Sequence, residues 1–463
     1  MKKNWLFLSL IVVVAGFVRV PYVFQESVWN DETVYMWIGE KLLENPLFLF
    51  SRRVAFHSYG YLIDIATAVL GLFVPVFYAS RVATLLVAFA GLLAVYALAK
   101  ELTNEFGGLA AALLVALNPQ HAFFSVRSLT DVYLATMLTV LSYTAARFDG
   151  SKKWGVLFGL SVIGVMMARV SGVLAIPIAL LFLAHWLRTN GLDDGVRYGG
   201  SLVIGLIILL ATMNLLFFGS PFQFGGASLK GMIFTGSRTY YLDAAGSIYT
   251  MPVFLLALVG TYLASKDRQA MFLALAFITY FLWFSIFAGE KVPRYVLQTV
   301  PLAAVLAVFA AHRLVKTVGV DERLVGATVV FCLLSFPNIT LLIESKVHTY
   351  TGFQELGEKV AELNSLRSFD AIYSQSARQI RAFSGIDVRG LPEELDELAN
   401  QTNILLQLDI WEYTAPDWAY PLTQEKFNRI LAANFSVAHV VQRDYPTPQG
   451  LQKAPVGFLL VRE

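Results

Sequence analysis

The residues with chemistry to offer stand beside apolar stretches. Val28-Trp29-Asn30-Asp31-Glu32-Thr33 places two adjacent carboxylates just past the first apolar run. As capping groups, Asn30 or Asp31 would close a helix N-terminus and Glu32 would favour its dipole. Capping accounts for one acid and not for two, so the pair is also a candidate for proton transfer with a substrate hydroxyl. A third acid, Asp131, lies in Ser125-Val126-Arg127-Ser128-Leu129-Thr130-Asp131, where an N-cap role competes with a role at a membrane-edge site. Gly289-Glu290-Lys291-Val292-Pro293-Arg294-Tyr295 sets Lys291 and Arg294 beside Tyr295. Arg holds a phosphate by a bidentate fork and Lys by a compact point charge, while an ion pair with Glu290 is the structural alternative. His57, and Arg238 with Tyr240 in Arg238-Thr239-Tyr240-Tyr241-Leu242-Asp243, are candidates for substrate contact, although interfacial packing would use the same residues. There is no Gly-rich nucleotide loop, and a single cysteine, Cys332, excludes an intrachain disulfide and a cysteine metal cluster.

What must position these residues is a membrane domain. Of 463 residues, 57% are hydrophobic and 15% charged, and mean hydropathy is +0.61. A soluble domain carries about a quarter charged residues. The net charge of +2 gives no electrostatic reason to expect a nucleic-acid partner. A crossing helix needs about 20 mostly apolar residues. Candidate runs lie near 4–20, 60–78, 80–99, 107–124, 130–146, 154–168, 171–187, 199–218, 251–265, 270–288, 295–312 and 323–343. If Lys2 and Lys3 are inside and every run crosses, Arg147, Lys152, Lys153, Lys266 and Arg268 fall outside, against the positive-inside bias. Laying the run at 60–78 in the interface brings those cations inside, together with Lys100, Arg188, Arg197, Arg313 and Lys316. That run carries His57-Ser58-Tyr59-Gly60-Tyr61 at its start, then Asp64 and Pro75, which suits an interfacial helix.

The expected architecture is a polytopic α-helical membrane protein with about eleven spans and juxtamembrane helices. Residues 1–343 form the membrane domain, and residues 344–463 form a small extracytoplasmic α/β domain. Its expected strands lie near 369–374, 403–408, 439–441 and 457–461. The N-terminus is cytoplasmic in this scheme. Arg52, Arg53, Arg81, Arg127, Arg169, Arg238, Lys291 and Arg294 then stay on the outer side, where they oppose the bias and fit a phosphate group held there. Triplets at Asn338, Asn400 and Asn434 permit glycosylation on that side.

The acidic pair in the first outer loop, the second acid after Asn118-Pro119 and a Ser-x-Arg segment, and Arg294-Tyr295 at a late helix edge resemble the GT-C glycosyltransferases. Within them the chain is similar to the protein mannosyltransferase and aminoarabinose transferase branch. The resemblance implies a sugar carried on a polyprenyl monophosphate of dolichyl type and a site at the outer membrane face. It implies Asp31 as the general base, Glu32 beside it and Asp131 as the second acidic motif. At Phe56-His57-Ser58-Tyr59-Gly60 the chain departs from relatives, which carry a basic residue followed by prolines.

For such a donor, a carboxylate takes the proton of the acceptor hydroxyl as it attacks the anomeric carbon, and the anomeric centre inverts. The departing phosphate calls for cations, a task for Arg294, Lys291, Arg127 and Arg169. No cofactor is required by this scheme. A divalent metal such as Mg, Mn or Zn on Asp31, Glu32 and Asp131 would be an addition to it. The acceptor is a protein, a glycan or a lipid. A transporter or lipid flippase using outer-face acids is the alternative, and it would favour mid-membrane charges and repeated halves. A scaffold displaying the C-terminal domain would leave the three acids without a common task.

Overall fold

The computed structural model of the chain describes residues 2–51, 60–220, 237–287, 292–319, 323–336, 348–412, 415–447 and 450–463. His57 and Lys291 lie outside the described residues, as do Arg52, Arg53, Glu290 and the triplet at Asn338. The chain divides into two compact units. The first comprises Met1–Val23 and Ile38–Ile339, the second Phe24–Trp37 and Thr340–Glu463.

The first unit is helical, as its composition requires. Its elements begin with α1 (Lys2–Val23), the end of α2 (Asn30–Glu44), α3 (Tyr61–Gly71), α4 (Val76–Leu102), α5 (Glu105–Ala116) and α6 (Pro119–Phe124). They continue with α7 (Thr130–Ala146), α8 (Lys152–Ala168), α9 (Ala175–Asn190), α10 (Asp194–Phe218), α11 (Tyr240–Asp243) and α12 (Ala245–Ile248). The last are α13 (Met251–Ala264), α14 (Met271–Phe287), α15 (Val300–Val318) and α16 (Arg323–Leu334). Among the described residues, five helical segments are long and apolar enough to cross a membrane: Trp5–Val23, Val76–Leu102, Val170–Asn190, Asp194–Phe218 and Pro293–Val318. Five shorter apolar helices accompany them.

Two sequence features shape the local course. α3 rises only about 16 Å, roughly half a bilayer core, before the chain turns ahead of Pro75. Leu72 and Phe73 stand exposed at that turn. The run expected as one span at 107–124 is two helices. Pro119 cannot continue α5 and instead opens α6, whose first turn the Asn118 side chain caps by accepting from the His121 N–H at 2.9 Å.

Burial ranks the helices. In Pro293–Val318, 89% of the most apolar window is buried, against 22% in Asp194–Phe218. α15 is therefore central, as is α7, while α10 presents Ile204, Ile208 and Leu216 outward. Glycine permits the closest approaches. A Cβ on Gly155 would lie 2.3 Å from the Gly195 carbonyl oxygen and 2.6 Å from its Cα. Helices that lack a hydrophobic drive toward each other in lipid hold together through such small-residue contacts. Gly155→Val should separate α8 from α10 and lower the thermal midpoint of the purified protein by several degrees, whereas Gly200→Val, where a Cβ meets nothing within 4 Å, should leave it in place.

One end of this unit carries a belt of cations on aromatic rings. Arg147 lies 5.1 Å over Trp154, Lys152 4.5 Å over Tyr198, Lys266 4.0 Å over Tyr262, Arg268 3.9 Å over Trp186 and Arg313 5.0 Å over Phe309. Ion pairs tie its connections together, Arg147 with Glu101 at 2.9 Å and Arg313 with Asp267. The cations grouped on one side by the sequence argument thus occupy one end of the helices. α7 runs from Asp131 to this belt, so the acid stands at the other end, about 24 Å away along the helix.

In the second unit a five-stranded sheet has the order β2-β1-β3-β5-β4, with β1 (Ala371–Ser374), β2 (Arg389–Gly390), β3 (Ile404–Asp409), β4 (Ser436–Thr447) and β5 (Gly450–Arg462). The first three run parallel and the last two pair antiparallel. Period-two alternation divides the strands between two cores. Ile372, Leu405 and Leu459 pack with α17 (Phe353–Leu366) and α18 (Ala377–Ser384). Tyr373, Leu406 and Leu460 pack with α19 (Leu395–Ala399) and α20 (Gln424–Ala432). This is the small α/β domain expected at the C-terminus.

Candidate active site

In the first unit, the loop after α8, the start of α7 and the 3-10 turn Pro293–Thr299 converge on one charged cluster. Asp131, in the first turn of α7, is 2% exposed and is ion-paired with Arg169, the residue that ends α8. The Arg169 guanidinium lies 5.2 Å from the Tyr295 ring, and Arg294 approaches the same ring at 5.4 Å. Tyr295 packs in turn on Phe284 at 5.9 Å. Tyr241 is buried and donates its hydroxyl to the Val292 carbonyl at 3.0 Å, which fixes α11 against the turn that carries Arg294. Tyr240 stacks edge-on against Tyr241 at 5.1 Å, while Arg238 is exposed in the turn before it. Asp131, Arg169 and the adjacent pair Arg294-Tyr295 are therefore brought together from three separate sequence segments.

Other cations lie buried toward this end. Arg127 is fully buried, 5.1 Å over Phe123. Arg81, also fully buried, donates to the Val23 carbonyl at 3.2 Å and lies 4.6 Å over Phe77. Arg19, missed by the sequence reading, is held by the Ser125 hydroxyl at 2.8 Å and by the Ala15 and Ala116 carbonyls at 3.1 and 2.7 Å. Its position within an apolar helix was the available signal, because a guanidinium in a spanning segment needs fixed acceptors.

Asp31 and Glu32 belong to the second unit. They open α2, and they differ in surroundings. Glu32 is fully buried and accepts from the Trp29 backbone N–H at 3.0 Å, the reach-back half of a capping box. Asp31 is half-buried one residue earlier in the same turn. The turn is held by its own unit: the Val28 N–H donates to the Tyr350 carbonyl at 2.9 Å, and the Trp29 ring lies 5.8 Å from that of Tyr350.

Among the described residues no three His, Cys, Asp or Glu side chains come together as a metal site. Asp131 is already neutralised by Arg169, so the donor set does not fit a metal held there.

No family model matches the chain, and no curated protein matches it in sequence. Solved structures do match in fold. The crystal structure of ArnT from Cupriavidus metallidurans bound to undecaprenyl phosphate superposes with a TM-score of 0.65 at 15% identity, covering 99% of this chain and 98% of that one. The Archaeoglobus fulgidus oligosaccharyltransferase tethered to an acceptor peptide gives 0.63 at 12% identity over 98% of this chain and 74% of that one. The same oligosaccharyltransferase in complex with Zn and sulfate gives 0.58 at 11% identity. Across nearly its whole length, helices and C-terminal domain included, the chain has the fold of the GT-C membrane glycosyltransferases.

Proposed function

We propose that this protein is a multi-pass membrane glycosyltransferase that moves a sugar from a polyprenyl monophosphate carrier to an acceptor hydroxyl at the outer membrane face. The observation that carries this reading is the full-length fold shared with an enzyme solved with undecaprenyl phosphate. The buried guanidinium groups at the end opposite the cation–aromatic belt support it. By the positive-inside rule, the belt of Arg147, Lys152, Lys266, Arg268 and Arg313 faces the cytosol, and the Asp131 cluster faces outward.

In the proposed reaction an acceptor lone pair attacks the anomeric carbon as its proton passes to Asp31. The bond from that carbon to the phosphate oxygen breaks, and the electron pair leaves with the polyprenyl phosphate. Asp31 suits the base because it is half-buried, whereas Glu32 is committed to the helix cap. The charge on the leaving phosphate is met by Arg294 and Arg127, with Lys291 from the adjoining segment. Arg169 has a different part in this scheme. Bound to Asp131 and resting on Tyr295, it holds the turn that presents Arg294. Of the remaining sequence candidates, Tyr240, Tyr295 and Arg238 are assigned to the rim that meets the substrate. No step is routed through a metal.

The experiment is release of polyprenyl monophosphate from a panel of polyprenyl-phosphate sugars by the purified protein in lipid, with protein, glycan and lipid acceptors supplied. Release from one member of the panel is expected and identifies the sugar. No release from any donor in the presence of these acceptors would overturn the reading and favour a transporter.

A further inference from the structure

The segment that carries Asp31 and Glu32 is tied to the C-terminal domain by contacts that local sequence does not announce. Glu26, four residues before Asn30, takes the Arg443 guanidinium in a bidentate pair, Nε to Oε2 at 2.7 Å and Nη2 to Oε1 at 3.0 Å. The same Oε1 accepts from the Gly352 N–H at 2.9 Å. Arg443 lies on β4 and is held from its other side by Glu355 at 2.9 Å, which also meets His439 at 3.0 Å. The Ser27 hydroxyl donates to the Thr349 carbonyl, and the Val28 N–H to the Tyr350 carbonyl.

The receiving turn is itself costly to form. Tyr350 sits at φ +54°, a left-handed conformation that a bulky side chain rarely adopts. Gly352 sits at φ +89°, where a Cβ would press on Val441 and Val456 at 3.1 Å. Tyr350 is kept there by stacking, with rings 5.8 Å away on Trp29 and on Trp411, and Trp411 fixes the neighbouring Thr351 carbonyl through its indole N–H at 3.0 Å. A strained turn over-determined on both sides is the mark of a position that is being held.

We propose that the C-terminal domain is a positioning clamp for the Asp31–Glu32 turn, with Glu26 and Arg443 as positioning residues. The role rests on the transferase reading above. Both members of the pair are more than a quarter exposed, at 28 and 29%. Its bidentate geometry fixes distance and angle. The clamp acts on the placement of the carboxylate, and the protection of β3 and β5 reports separately on whether the domain stays folded.

The test compares wild type with Glu26→Gln, Arg443→Met and the double variant Glu26→Cys with Arg443→Cys. The only native cysteine, Cys332, is buried and leaves the new pair as the reactive thiols. Hydrogen exchange on the intact protein should show faster exchange of the Val28 amide in the Gln and Met variants, with strands β3 and β5 protected as before. Turnover should fall about ten- to hundredfold at unchanged donor KM, because a displacement near 1 Å is enough for such a loss. A short bifunctional thiol reagent joining the two introduced cysteines should restore most of it. Unchanged exchange at Val28, a loss confined to KM, or a cross-link that forms without restoring turnover would each overturn the clamp. If wild type releases no polyprenyl phosphate, the transferase reading fails, and the exchange measurement still decides whether Glu26 and Arg443 hold this turn.

Discussion

On the proposed mechanism, Asp31→Asn is expected to lower polyprenyl phosphate release by about 10²- to 10⁴-fold, the range for loss of a positioned general base. The amide keeps the size of the side chain and its place in the first turn of α2, so the cap made by Glu32 on the Trp29 N–H survives. Donor binding therefore persists, and the loss falls on kcat. The contrast with Glu32→Gln is the sharper result. Glu32 is fully buried and spent on the helix start, so its amide should retain the hydrogen bond and most of the turnover. If Glu32→Gln were the more damaging substitution, the two carboxylates would exchange roles.

Arg169→Ala is expected to give the largest loss of stability among single substitutions at the cluster. It strands Asp131, 2% exposed, without the guanidinium that compensates it, and breaking one side of a buried pair costs about 3–5 kcal/mol. Arg169 is itself only 15% exposed at its side chain, so solvent takes over little of the charge. Replacing both partners by apolar residues, Asp131→Leu with Arg169→Met, removes the stranded charge and should recover most of the thermal midpoint. Turnover should stay low in that double variant, because the Tyr295 turn has lost the cation it rests on. A double variant as unstable as Arg169→Ala alone would show that packing, and not the ion pair, organises this end of α7.

Much of the fold is written in local pattern. Apolar runs mark the membrane helices, and Lys and Arg placement alone leads to the expectation that one run lies in the interface. In the structure that run is the short α3, which ends at an exposed Leu72-Phe73 turn. Alternation at Ile372-Tyr373 and Leu405-Leu406 marks strands with two covered faces. The break at Asn118-Pro119 was equally local, yet an apolar run counted by hydropathy passes over it, because hydropathy does not register a missing N–H.

The cluster was legible in part. Asp131, Arg169, Arg294 and Tyr295 are each conspicuous as polar groups beside apolar helices, and their meeting depends on helix ends far apart in sequence. Tyr241 and not Tyr240 is the buried member of its pair, a choice made by the Val292 carbonyl. Glu26 and Arg443 gave no signal at all. Each stands among ordinary polar neighbours, and only the return of the chain to the first loop after the last apolar run makes them a pair.

The sequence by itself determined that this protein is helical in a membrane, that its cations divide between two ends, and which residue types stand ready at the end opposite the cation–aromatic belt. Those properties follow from composition and from periods of a few residues, which act within one helix or strand. Only the tertiary structure decided that Arg169 neutralises Asp131, that Glu32 is a cap, and that the Asp31 turn belongs to the C-terminal unit. Pairings of that kind are set by how buried surfaces fit and by which charges find partners out of water, and a linear pattern does not carry that information.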